Sequence, residues 1–188
     1  PTSKKNKFCA LCKKTSLVIR DGVGFGGFDL NSVLDEKMIS DINTQLANIT
    51  QKNFKSCVIN GVKVGRVALY ELVLRHKLMD VDELADHVWN EYLSLFESVL
   101  KTFYVMEKVL TEEKPARLLV YNGLYSVNSV CRELAKKSNI PVYWLHAGLN
   151  QKNRLKNLMV GQDHTFAYYR SIISKWEKDL FDIPCSKK

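Results

Sequence analysis

Apolar residues recur every three or four positions through several stretches of the chain, and each such stretch predicts an amphipathic helix. Val33, Leu34, Met38, Ile42, Leu46 and Ile49 mark a helix over residues 32–49, with Asn31 or Ser32 as its N-cap. A shorter helix is predicted from Arg66 to Leu78, fed by Asn60-Gly61-Val-Lys-Val-Gly65, a loop with glycines on both sides of Val-Lys-Val. The longest runs from Val81 to Thr111 along a stripe of Leu84, Val88, Tyr92, Leu95, Val99, Phe103, Met106 and Leu110. Asp80 or Asp82 suits its positive end, and the stripe reads as core without chemistry.

Two other runs are apolar without helical spacing. Ala116-Arg-Leu-Leu-Val-Tyr121 follows the helix stop Lys114-Pro115 and reads as a strand of the buried parallel type, closed by Asn122-Gly123. Ile140-Pro-Val-Tyr-Trp-Leu-His146 is a second strand, ended by Ala147-Gly148. Between them Val127, Val130, Cys131 and Leu134 form the inner face of a helix over Ser126–Lys137, stopped by Ser138-Asn139. Residues 116–148 are therefore a βαβ unit, and the fold class is α/β with a partly parallel sheet and long flanking helices. Near the start, Ser16–Arg20 predicts a strand that runs into Asp21-Gly-Val-Gly-Phe-Gly-Gly-Phe28. This glycine run reads as a flexible loop in preference to a phosphate cradle, because its spacing is not the dinucleotide fingerprint and the next helix does not begin directly behind it.

Composition narrows the picture. The chain has 188 residues, 46% of them apolar and 26% charged, which supports a folded core and excludes a disordered chain. It contains no run of about 18 apolar residues to span a bilayer, and no apolar leader. The opening Pro1-Thr2-Ser3 suggests one α/β domain cut from a longer chain. The net charge is +8, but residues 1–20 hold six bases and no acid, and residues 151–188 hold eight bases and four acids. Residues 21–150, with 14 bases and 16 acids, carry −2. Basicity thus belongs to the margins, with residues 1–15 a basic, poorly ordered lead-in. That pattern fits a solvated tail or attraction to anionic partners better than a nucleic-acid surface, so nucleic acid is not the expected partner.

Five cysteines, at 9, 12, 57, 131 and 185, are an odd number and point to a reducing, cytoplasmic setting. Cys9-Ala-Leu-Cys12 has the spacing of half a zinc site, yet no second pair follows at finger-like distance, so no metal is expected beyond this weak zinc possibility. The βαβ unit places Asn122 and His146 at the carboxyl ends of neighbouring strands, where open α/β sheets bind ligands. There the imidazole can act as a base, donate a hydrogen bond to a sugar hydroxyl or a phosphate, or, with Asn122, simply tie loops together. His76 and His87 lie in helical runs and are set aside as surface or packing residues.

The order Asn6-Lys-Phe-Cys-Ala-Leu-Cys12, Gly61 with Gly65, Lys114-Pro115, Tyr121-Asn122-Gly123 and His146-Ala-Gly148 resembles the amino-terminal, acceptor-side part of bacterial GT-B-like glycosyltransferases of capsular and surface polysaccharide biosynthesis. The chain departs from many relatives at Leu124 and Ala147, where they carry Arg and Glu, and lacks the earlier strand-helix-strand segment and the second, donor-binding domain. The resemblance implies a Rossmann-like three-layer domain, one half of a two-domain enzyme and inactive alone. The implied reaction is sugar transfer from a nucleotide sugar to a glycan acceptor, with no tightly held cofactor. His146 is then the base or acceptor contact, Asn122, Gly123 and Gly148 shape the pocket, and Tyr125, Ser126 and Asn128 stand at the following helix N-terminus. His164 is a further substrate contact, on a loop after the second strand. The implied location is the cytoplasm, at the inner face of an anionic membrane that the basic ends touch. The alternative is a non-catalytic α/β domain that binds polyanions or nucleic acid or docks a partner.

Overall fold

The computed structural model describes residues 2–24, 27, 29–147, 156 and 158–162. The chain divides into two compact units, Pro1–Val33 and Leu34–Lys188.

The first unit is built on helix α1, Thr2–Gly22. Here the structure corrects the sequence reading, because Ser16–Arg20 is the last part of this helix and no strand precedes the glycine run. The physical reason is that residues 2–21 contain neither glycine nor proline and include several lysines, which favour helix. Residues 2–15 of the expected basic lead-in lie within the same helix. Phe8, Leu11, Val18 and Ile19 recur at helical spacing and are exposed. A 3-10 turn at Leu30–Ser32 follows, capped by Asp29, whose carboxylate accepts from the Asn31 backbone N–H at 2.9 Å. Those hydrogen bonds from Asn31 hold the Asp29 carboxyl below its ordinary range.

In the second unit, α2 spans Glu36–Asn48 and is capped by Asp35, which accepts from Met38 N–H at 2.8 Å. It starts later than the pattern predicts because the Ser32 hydroxyl is spent within the preceding turn, on the Asp29 carbonyl. A two-residue turn at Asn60-Gly61, both at positive φ, then folds Ile59 onto Val62. The helix predicted over 66–78 is two short ones, α3 (Val64–Val67) and α4 (Tyr70–His76), the second ended by Lys77 in the left-handed region. The central helix α5 runs over Asp86–Glu113, roughly 42 Å at 1.5 Å per residue. It does not begin at Asp80, whose carboxylate closes a local turn on Asp82 N–H. The Gln51 amide also takes both backbone groups of Leu84, at 3.0 and 2.6 Å, so this stretch stays outside the helix. Arg75 and His76 of α4 reach Glu91 of α5 at 3.0 and 2.9 Å. The His76 bond, followed by the Arg75 charge, lowers the Glu91 carboxyl.

The remaining elements are β1 (Leu118–Tyr121), α6 (Ser126–Lys137), β2 (Val142–Ala147) and β3 (Leu158–Gln162). The βαβ unit forms as predicted, with β1 and β2 parallel. β3 then adds to β2 antiparallel, giving the order β1-β2-β3 in a mixed α/β fold. This strand corrects the expectation of a loop there, since Gly161 and Gln162 belong to it. A second correction concerns burial. β1 reads as a strand covered on both sides, yet only Val120 is buried, while Leu119 and Tyr121 are 53% and 49% exposed. No helix among the described residues is long and apolar enough to cross a membrane.

The core is organised around α5. Tyr92, Phe96, Val99, Leu100 and Phe103 are fully buried on it, and Phe54 meets the edges of Trp89 and Tyr92 at 5.5 and 5.1 Å. Gly65 of α3 presses against this cluster so closely that a Cβ would lie 1.7 Å from the Phe54 carbonyl oxygen. Tyr92 donates its hydroxyl to the Gly65 carbonyl at 3.3 Å, and burial pushes that phenol far up. Gly65→Ala is therefore expected to cost about 3 kcal/mol or more in urea unfolding, through forced backbone displacement. Gly61→Ala, in open space at φ +79, is expected to cost only about 1–2 kcal/mol, the left-handed penalty.

Candidate functional site

The carboxyl end of β1 turns sharply. Asn122, at φ 46, donates its backbone N–H to the Leu145 carbonyl at 3.1 Å and so prolongs the parallel ladder by one rung. Its own carbonyl accepts from Tyr125 N–H at 3.3 Å, which closes the turn before α6. The Asn128 side chain reaches back to donate to the Tyr121 carbonyl. Gly123 is required for space, since a Cβ there would fall 1.7 Å from Cζ3 of the Trp144 indole, itself buried in β2. Turn, helix start and second strand are thereby locked together at one edge of the sheet.

His146 lies on β2 at that edge, its ring nearly parallel to the Tyr121 ring with centroids 6.4 Å apart. Its Nδ1 is 2.7 Å from the Ala147 carbonyl oxygen. A carbonyl can only accept, so Nδ1 carries a proton, and in the neutral ring the basic lone pair is on Nε2. Tyr121 is a member of the group that the sequence reading used only as a motif letter.

Of the residues predicted for the site, Asn122, Gly123, Tyr125, Ser126 and Asn128 share this turn and helix start, and Tyr121 bridges them to His146. Gly148 and His164 lie outside the described residues. Two contributors come from α4 and leave no signal in the spacing of the chain. Glu71 accepts the Ser126 N–H at 3.0 Å, placing a carboxylate at the positive end of α6. Tyr70 meets the edge of Tyr125 at 5.8 Å, and burial, with Tyr125 nearby, pushes the Tyr70 phenol up, so it remains a neutral donor at physiological pH. The Ser126 hydroxyl is buried and has no hydrogen-bond partner among the described residues. Beside Tyr125 opens a cavity of about 430 Å³ lined also by Glu71, Leu74 and Arg75.

Such an edge is suited to neutral polar ligands. It offers an aromatic face half open to solvent, an imidazole of fixed proton position, amide groups, and a helix end whose charge is already compensated by Glu71. Cys9 and Cys12 are both exposed, three residues apart on α1, and among the described residues no three His, Cys, Asp or Glu side chains are placed to hold a metal ion. No family model, curated protein or solved structure matches the chain.

Two outcomes follow from this geometry. Gly123→Ala is expected to displace the indole of Trp144, costing about 2–3 kcal/mol in urea unfolding and moving the indole N–H resonance of that residue. Burial pushes the Cys131 thiol up to about 11, so at pH 8 it holds almost no thiolate. Alkylation followed by peptide mass mapping should modify Cys9 and Cys12 in the native chain and reach Cys131 only after unfolding.

Proposed function

We propose that the chain is the acceptor-side part of a GT-B-like glycosyltransferase of surface or capsular polysaccharide biosynthesis. The observation that carries this reading is the stacked Tyr121–His146 pair at the carboxyl ends of β1 and β2, beside the Asn122-Gly123 turn. Sugar rings present C–H faces that pack on aromatic rings and hydroxyls that need both donors and acceptors, and this edge offers both kinds of group. The resemblance of the Tyr-Asn-Gly and His-x-Gly motifs supports the same assignment.

In that reaction His146 Nε2 takes the proton of the acceptor hydroxyl while its oxygen bonds to the anomeric carbon of the donor sugar. The bond from that carbon to the nucleoside diphosphate breaks, and the diphosphate leaves with the electron pair. The hydrogen bond from Nδ1 to the Ala147 carbonyl steadies the ring as it becomes an imidazolium. Asn122, Tyr125 and Asn128 orient the acceptor, and the nucleotide sugar is brought by a second Rossmann-like domain, this one forming the three-layer partner. The setting is the cytoplasmic face of the membrane. The exposed apolar residues of α1, together with the bases of residues 1–20, support a peripheral contact with anionic lipid there.

The runner-up is a non-catalytic domain that docks a partner, favoured by the exposure of Leu119, Tyr121 and Val160 on the sheet. Saturation-transfer NMR on the 188-residue chain separates the two. Contact with oligosaccharide acceptors, lost in His146→Ala and in Tyr121→Ala while nucleotide sugars give no signal, is the result expected of an acceptor domain. Silence toward every oligosaccharide would turn the assignment toward docking.

A further inference from the structure

A second cavity, of about 430 Å³, lies against α6 on the side of α3 and the Asn60-Gly61 turn. That volume is within the roughly 300–1,000 Å³ usual for small-molecule sites. Its polar lining is Lys63, Arg66, Tyr70, Ser129, Arg132 and Glu133. Three cations therefore face one carboxylate. Glu133 is taken by Arg132, whose Nε donates to it at 2.7 Å. Neither Lys63 nor Arg66 has a carboxylate within ion-pair distance among the described residues, which leaves two positive charges uncompensated.

Arg132 is the most constrained of the three. Its guanidinium stacks over the Trp144 ring at 5.5 Å, and Nη2 also reaches the Ser129 hydroxyl at 3.4 Å. Nη1 is buried and has no acceptor among the described residues, a costly state for a charged donor. The opposite wall is equally fixed. Lys137 donates to the Asn60 carbonyl at 2.7 Å, Asn60 donates to Glu107 of α5 at 2.8 Å, and Gly65 holds α3 against Phe54. Val67 and Leu124 add apolar surface beside the charges.

We propose that this cavity binds a soluble phosphate-bearing small molecule, a phosphomonoester or a diphosphate, through Lys63, Arg66 and Arg132. An excess of two positive charges matches a dianionic phosphate better than a single carboxylate, and a fork of guanidinium donors suits its oxygens. Val67 and Leu124 would lie against the organic part. The site does not depend on the sugar-transfer reading, because Lys63, Arg66 and Arg132 are not among the groups assigned to that edge; only Tyr70 borders both.

Isothermal titration calorimetry of the whole chain with pyrophosphate and with glucose 1-phosphate, at physiological ionic strength, tests this directly. Saturable binding of at least one probe is expected, weakened roughly tenfold or more in the Lys63→Gln/Arg66→Gln double variant, as the loss of charge-assisted bonds predicts. Both residues are exposed, so this variant is expected to fold even where Arg132→Gln does not. Lys13→Gln/Lys14→Gln removes the same charge from α1 and should leave binding unchanged. Equal weakening by the two double variants would reduce the effect to general attraction of polyanions and overturn the proposal. So would the absence of saturable heat with both probes. Sedimentation with phosphatidylcholine vesicles containing phosphatidic acid, if it required Lys63 and Arg66 while neither soluble probe bound, would instead make this a lipid-headgroup contact.

Discussion

The arrangement of the candidate site depends on how α6 is held between α5 and the sheet. Its twelve residues bury Ser126, Ser129, Val130, Cys131, Leu134 and Ala135, so small side chains let it approach packed neighbours closely. At its start the absence of a side chain on Gly123 admits the Trp144 indole. At its end Asn139, at φ 56, ends the helix, with Ile140 N–H returning to the Ala135 carbonyl at 2.8 Å. With both ends fixed, the helix has one register against β1 and β2, and the groups at the strand ends inherit that register.

The same rigidity reaches α3 and α4 through α5. Phe54, Trp89, Tyr92 and Gly65 form one aromatic and backbone cluster, and truncating a fully buried Phe typically costs about 3–5 kcal/mol. The cluster sets where α3 lies, and α4 follows it after two residues. Tyr70 and Glu71 on α4 are thereby delivered to the start of α6, 55 residues later in the chain. Packing between helices, with no local motif, builds that part of the site.

This explains what the sequence could and could not reveal. The βαβ unit was legible because its strands, its helix and its Asn-Gly and Ser-Asn stops are all local signals, and the α5 stripe was legible from its period. Ser16–Arg20 reads as a strand because the short run Ser-Leu-Val-Ile looks alike in strand and helix, and the helical context lies upstream of it. The start of α5 was obscured by Gln51, a residue 33 positions away that takes the backbone groups of Leu84. The placement of Asn122 and His146 at the carboxyl ends of β1 and β2 follows from topology alone. Glu71, Tyr70 and the meeting of Lys63, Arg66 and Arg132 were not, since each needs a contact between elements distant in sequence.

Seen along α6, the chemistry changes within about two turns. At Ser126 the helix end already holds the Glu71 carboxylate, which repels a further anion and favours hydroxyls beside Tyr121 and His146. At Ser129 and Arg132 the surplus is cationic, and Trp144, which makes Gly123 necessary at the first place, supports the guanidinium at the second. A single indole thus couples the shape of a neutral polar edge to the charge of a neighbouring cavity. Substitution of Trp144 would disturb both together, whereas changes at Lys63 or Arg66 leave the edge intact, so the two regions can be separated by the choice of residue even though they share one helix.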